Sequence, residues 1–352
     1  MKYIIITLIS FSILCSSSIA QQANTKEIYT APFKNNATGA YTLIHDDFGA
    51  SWASGIENYV DTMAYNRHIP ICFAVITKEC DKSDWKKANE LIAHHHQIIN
   101  HTMSHKCGVQ VDWCQAGNWD EHNFNVEFDS STAWIKKNTG KHPAFFIFPF
   151  DLFSDTMITY LEASNYLGAR AGRQNATNPA DQLTPFRLNF QMHRPEEAIA
   201  QLDSFAIKTV REKSWGIRVL HGVGDDSWGS LNPVDYGNHL DYISKLSKDK
   251  QLWVATLSDV VTYQYMKAKY IPQAKQRDAK GRVTRIEFNN NPDIVLPLES
   301  LLTDKVITIV IKQKTKSYKE IIQGNIHLHA DMLGDEMMIN AIADKGEIMI
   351  TY

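Results

Sequence analysis

Two histidines four residues apart, His101 and His105 in NHTMSH, and two adjacent acids, Asp46 and Asp47 in IHDDFG, are the side chains best suited to chemistry. A zinc-type divalent ion takes nitrogen and oxygen ligands and, in a catalytic site, keeps a position open. Histidines at this spacing, on one helical turn or at a strand-to-helix junction, aim their rings at a common point. The third ligand must come from another segment, and an aspartate closing a neighbouring strand is well placed. Adjacent residues at a strand end project differently, so the two acids divide the work: one ligates, and its neighbour takes a proton from the attacking water. His221, in VLHGVGDD, is a candidate to protonate a leaving group. Zinc is the expected ion, with cobalt or nickel as alternatives.

No one of these signals is specific by itself. The chain has 14 histidines, and His94, His95 and His96 read as a solvated, structural run at a helix end. His327 and His329 in NIHLHA read as structural residues on one face of a strand. The five residues above stand out because of the elements that must position them.

From Ala40 to about Tyr270 apolar runs alternate with amphipathic stretches. AYTLIHDD, IPICFAVI, QIINH, AFFIFPF, YLGARA, WGIRVLHG and LWVATL read as strands. GIENYVDTMAYNR, WKKANELIAHHH, SSTAWIKKNTG, TMITYLEASN, PEEAIAQLDSFAIKTVREK and NPVDYGNHLDYISKLSKD read as helices. Strands alternating with helices of this length make βα units and a parallel sheet. About seven such units predict a closed or nearly closed barrel, in which functional residues gather at the C-terminal ends of strands. Asp46 and Asp47 end the first strand, His101 the third, Pro149 the fourth and His221 the penultimate one, so all fall on one rim. After Lys267 short alternating segments separated by Gly, Asn and Asp predict a small antiparallel β module.

With 352 residues, 44% apolar and 21% charged, the chain has an ordinary globular composition. A net charge of −3 and the lack of a basic run argue against nucleic-acid binding. Residues 1–20 combine Lys2, an apolar Ile4–Leu14 core and a small-x-small site at Ser18-Ile19-Ala20, the pattern of a signal peptide. A lipoprotein reading would use Cys15, but the bulky Leu14 precedes it. The expectation is a secreted or periplasmic, soluble protein without a transmembrane segment. Four cysteines then remain, and short loops favour the pairs Cys72–Cys80 and Cys107–Cys114.

IHDDFG, NHTMSH, FIFPF and RVLHG, in this order and spacing, resemble the polysaccharide deacetylase family, carbohydrate esterase family 4, over about residues 40–268. The resemblance implies a distorted (β/α) barrel and metal-dependent hydrolysis of acetyl groups on sugars. It implies Asp46 as base, Asp47, His101 and His105 as metal ligands, and His221 as general acid. Pro149 and Phe150 match a groove motif whose backbone amide helps bind the oxyanion. Two departures stand out. Phe48 separates the paired acids from Gly49, and Ile147 occupies the place of the family's arginine, which pairs with the base. Without a cation that base would keep a higher pKa, and Arg170, in YLGARAGR at the end of the next strand, is the expected substitute. The family's fourth-motif acid and tryptophan are not evident.

Around this core, KCGVQVDWCQAGNW carries Trp113 and Trp119, either a sugar platform or surface packing. GVGDDSWG offers Asp225, Asp226 and Trp228 at the same rim as candidate substrate contacts. The expected organisation is a signal peptide over 1–20, an N-terminal extension over 21–39, an α/β distorted barrel of about seven strands over 40–268, and a sandwich-like β module over 269–352. The expected substrate is an acetylated carbohydrate, N-acetyl slightly favoured over O-acetyl. The rival readings are a carbohydrate-binding protein that lost turnover on the same scaffold, and a closed, purely structural metal site.

Overall fold

The structure is a computed structural model and describes residues 27–114, 118–313 and 317–352. The signal-peptide reading of residues 1–20, with Cys15, lies outside the described residues. A largely parallel sheet forms the centre. Its strand order is Gly168–Arg170, Phe145–Ile147, Gln97–Asn100, Cys72–Val75, Gly39–Phe48, Ser214–Leu220 and Asn178–Pro179. Two short strands add to it: Leu252–Val254 pairs with Gly39–Phe48, and Gln191–Met192 pairs with Ser214–Leu220. The two end strands of this order do not pair, so the sheet curls into an open half-barrel, the distorted barrel expected.

All ten residues of Gly39–Phe48 are buried, as a strand covered on both faces requires. One face packs on Ile56, Val60, Trp85, Leu202, Phe205, Tyr236 and Leu240 from the surrounding helices. The other meets Phe145, Ile147, Trp215, Ile217, Leu257 and Val261. Helix starts follow local chemistry. The side chain of Asp81 caps Lys82–Ala93 by accepting from the Ser83 and Asp84 amides, and Asn232 caps Pro233–Lys248. Helix Ser131–Thr139 ends at Gly140, whose φ of 71° is the left-handed stop that glycine permits. The segment expected as one helix from Gly55 opens as a π-helix, Ile56–Val60, before the α-helical Asp61–Tyr65.

Beyond helix Leu257–Lys269 the chain forms two antiparallel sheets. Val283, Ile286, Ile309, Ile339, Ile348 and Ile350 from both share one core, the sandwich expected. One strand comes from far away in sequence: Ile28–Thr30 pairs antiparallel with Val306–Lys312.

One cysteine pair differs from expectation. Cys107–Cys114 is a disulfide, but Cys72 and Cys80 are free thiols. Cys72 packs in the inner cluster, with its thiol toward Gln97 and the Leu257 amide. Cys80 follows the strand's end and packs on the opposite, helix-facing side near Phe48. A short separation in sequence does not bridge two faces of a sheet.

Candidate active site

Strand alternation would send Asp46 and Asp47 to opposite faces. The structure avoids this with a β-bulge: His45 pairs with Phe73 and Phe48 with Val75, so three steps on one strand meet two on the other. Asp47 takes a left-handed φ of 69° there. Bulges re-aim side chains in this way, and both carboxylates reach the same cleft. The left-handed backbone recurs around that cleft, at Thr102 (73°), His105 (53°), Phe150 (59°) and Asp151 (55°). Such conformations cost about 1–3 kcal/mol each and persist where surrounding structure over-determines them.

The His101–His105 segment is neither a helix nor a junction into one, contrary to the sequence reading, but an irregular loop after strand Gln97–Asn100. Its shape is set by buried polar groups. Asn100 Oδ1 accepts from the Thr102 amide (2.8 Å) and Ser131 Oγ (2.7 Å). The His105 amide donates to Thr102 Oγ1 (2.9 Å), and the Ser104 amide donates to the buried Glu127 carboxylate (2.9 Å).

Within this frame Asp47 Oδ1 lies 3.5 Å from His101 Nε2 and 3.4 Å from His105 Nε2. Those separations are long for hydrogen bonds, and Oδ1 is buried with no hydrogen-bond partner among the described residues. Ligand atoms about 2.1 Å from a shared ion at tetrahedral angles stand about 3.4 Å apart. The three residues thus form a candidate metal site. The groups behind them fit that use. His101 Nδ1 donates to the Ile147 carbonyl (2.9 Å), which fixes the tautomer and leaves Nε2 a lone pair. Trp52 Nε1 donates to Asp47 Oδ2 (3.1 Å), so the carboxylate is held by one oxygen and offers the other. Burial opposes ionisation of Asp47, yet the neighbouring imidazoles hold its carboxyl far below the usual range. Burial pulls His105 down to about 4.

Asp46 is gripped by Arg170, whose Nη1 and Nη2 donate to its two oxygens at 2.9 and 2.7 Å. The same guanidinium reaches Asp151 Oδ1 from Nε (3.0 Å) and Nη2 (2.8 Å). Burial would raise the Asp46 pKa, but the Arg170 charge and fork lower it, while Asp151, also buried, is raised. His221 lines the cleft with its ring edge-on to Trp228 (5.3 Å). Its carbonyl accepts from His45 Nδ1.

The cleft has a volume of about 460 Å³. Pro149 is buried and not part of its lining, whereas Phe150 lines it, against His105 (4.7 Å) and Trp113 (5.6 Å). Trp113 and Trp228 line it, but the other three candidate substrate contacts, Trp119, Asp225 and Asp226, do not. Trp119 turns inward onto Phe128 (5.3 Å), the packing alternative. Asp226 is exposed outside the lining; its neighbour Asp225 is tied to the Gly55 amide (2.8 Å) and Ser227. Residues that sequence reasoning missed include Trp52, Asp151, Gln174, Met192 and Arg194. Asp151 directly follows the FIFPF motif and was findable as an acid on the rim. The others sit on loops, a single 3-10 turn (Trp52) or a two-residue strand that no periodicity marks.

Residues 36–171 match the family model described as polysaccharide deacetylase. No curated protein matches the chain. Among solved structures, it is similar to a family 4 acetyl xylan esterase from Clostridium thermocellum in complex with a cobalt ion. Identity is 18%, with 63% of this chain and 90% of that one covered, at a TM-score of 0.46. It is also similar to the Xyl-CE4 domain of a multidomain xylanase from the hindgut metagenome of Trinervitermes trinervoides. There the identity is 15%, the coverage 63% and 89%, and the TM-score 0.44.

Proposed function

Residues 36–171 carry the polysaccharide deacetylase signature, and from that premise we propose that the chain is an exported, metal-dependent hydrolase that removes acetyl groups from a carbohydrate. The observation that carries this reading is the orphaned, buried Asp47 Oδ1 facing two imidazoles, beside an Asp46 kept ionised by Arg170. Export rests on the pattern of residues 1–20.

A divalent ion, zinc in first place and cobalt or nickel as alternatives, would be held by Asp47, His101 and His105 and would polarise the acetyl carbonyl and acidify the attacking water. Asp46 accepts the proton of that water. The backbone amide of Phe150, a residue that lines the cleft, would be a donor for the developing oxyanion. His221 protonates the departing oxygen or nitrogen, so that acetate and a free hydroxyl or amine leave. Phe150, Trp113 and Trp228 give the sugar apolar faces.

Acetate release from N- and O-acetylated oligosaccharides should disappear with a chelator and return with Zn²⁺ or Co²⁺. Asp47→Ala and His105→Ala should each weaken zinc binding by calorimetry and lower activity by at least about 100-fold. Zinc that fails to bind the wild-type protein, or a full substrate panel without acetate release, would sink the proposal. A second reading, a sugar-binding protein without turnover, draws on His221, whose buried Nδ1 has no hydrogen-bond partner among the described residues. Oligosaccharide binding by the zinc-loaded protein without acetate release would select it.

A further inference from the structure

Two arginines line the cleft, and only one is used up by the protein. Arg170 is almost fully buried, and its fork is committed to Asp46 and Asp151. The Arg194 side chain is half exposed, and the one carboxylate within 4 Å of it among the described residues is Glu196, at 3.9 Å and itself 69% exposed. Such a pair is screened by water and neutralises little. What holds the guanidinium is an amide: Arg194 Nη2 donates to Gln174 Oε1 (3.3 Å). A neutral acceptor orients the charge without cancelling it.

The backbone on both sides is fixed. Gln191–Met192 pairs with Arg218–Val219, and the His193 amide donates to the Val219 carbonyl (2.8 Å), on the strand that delivers His221. Gln174 is bridged to Phe190. The cleft therefore offers a positioned, uncompensated planar cation beside aromatic side chains suited to sugar rings.

We propose that Arg194 binds the carboxylate of a sugar unit in the same chain as the acetylated one, so that the substrate is an acetylated acidic glycan. A planar fork matches a carboxylate bidentately, and charge-assisted bonds of this kind are stronger than neutral ones. A uronic acid branch and a lactyl ether on an amino sugar present the same group. The proposal takes the acetyl chemistry from the reading above, but the carboxylate contact can be measured without turnover.

The test is equilibrium binding to the zinc-loaded protein, by calorimetry at low salt, with two matched pairs of ligands. One pair is glucuronate-bearing and plain xylotetraose. The other is the N-acetylglucosamine–N-acetylmuramic acid disaccharide and diacetylchitobiose. At least one acidic ligand should bind about tenfold more tightly than its neutral counterpart, and the pair that shows this identifies the source of the carboxylate. Arg194→Gln should bring that ratio toward one, and Arg194→Lys should keep part of it. A ratio near one for both pairs in the wild type, or a preference that survives Arg194→Gln, overturns the proposal. Acetate release, followed separately, reports on the deacetylase reading: its failure with every substrate would leave a measured acidic preference standing.

Discussion

Asp46 is 2% exposed, an environment in which a carboxylic acid keeps its proton unless something opposes burial. The opposing group is Arg170, which delivers two hydrogen bonds and a full charge from strand Gly168–Arg170, at the end of the sheet and separated by three strands from the one that carries Asp46. The resemblance to polysaccharide deacetylases would put an arginine at position 147, where this chain has an isoleucine in the core. The cation has moved one strand over, and the guanidinium still meets the carboxylate. Arg170→Gln leaves two buried acids, Asp46 and Asp151, without their counter-charge. Breaking such a pair costs about 3–5 kcal/mol, and a protonated Asp46 could not take the water's proton as the proposed reaction requires. The expected result is a kcat at least about 100-fold lower near neutral pH together with a clearly lower Tm. Arg170→Lys should rescue little, since a single ammonium cannot span both oxygens and Asp151. An Arg170→Gln protein with near wild-type kcat would show that Asp46 needs no cation.

The strands and their rim were legible because a buried parallel strand writes itself as an apolar run ending abruptly in polar residues, as AYTLIHDD does. The bulge at Asp46–Asp47 and the left-handed turn at Thr102 were not, since both arise from tertiary hydrogen bonding that leaves no period in the sequence. Trp119 shows the same limit: residues six apart on one loop, Trp113 and Trp119, face cleft and core respectively. Of the His94–His96 run expected to be solvated, His95 is exposed and His94 partly so, but His96 is not. His96, between helix Lys82–Ala93 and strand Gln97–Asn100, is buried and bonds both its neighbours: Nδ1 accepts from the Ile71 amide (3.0 Å), and Nε2 donates to Asp61 (3.2 Å). Burial lowers its pKa to about 4, against the pull of Asp61. The folded state therefore resists a proton that the unfolded chain takes up near pH 6.5. This contribution is fully present above pH 6.5 and is lost as pH falls toward 4, with a ceiling of about 3 kcal/mol. His96→Gln, which cannot titrate, should lose some stability at pH 7.5 but show a shallower decline between pH 6.5 and 4.5 in urea denaturation. Parallel curves for the two proteins would exclude His96 as a source of that slope.

At the scale of the molecule, barrel and sandwich are joined by more than a linker. Helix Leu257–Lys269 packs on the sheet through Leu257, Val260 and Val261, while Tyr263 and Met266 share a cluster with Ile307 and Ala343 of the sandwich. The Tyr263 hydroxyl donates to the Ala31 carbonyl (2.9 Å) and accepts from the Thr308 amide (3.4 Å), tying the N-terminal strand, the helix and the sandwich at one point. Because Ile28–Thr30 belongs to a sandwich sheet, the chain enters one unit, builds the other and returns. No helix among the described residues is long and apolar enough to cross a membrane. Removing residues 269–352 would strip cover from Tyr263 and Met266 and leave the Ile28–Thr30 strand unpaired. Each large apolar side chain so exposed costs about 1.5–3 kcal/mol, against a total stability of about 5–15 kcal/mol for a typical domain. The truncated barrel should therefore be poorly soluble, and the full chain should unfold in a single calorimetric transition. Tyr263→Phe, which deletes only the hydroxyl, should cost about 1–2 kcal/mol without splitting that transition. Two separate transitions in the full chain, with a soluble truncated barrel melting within a few degrees of the first, would mean that the sandwich is an appendage and that the shared tyrosine couples nothing.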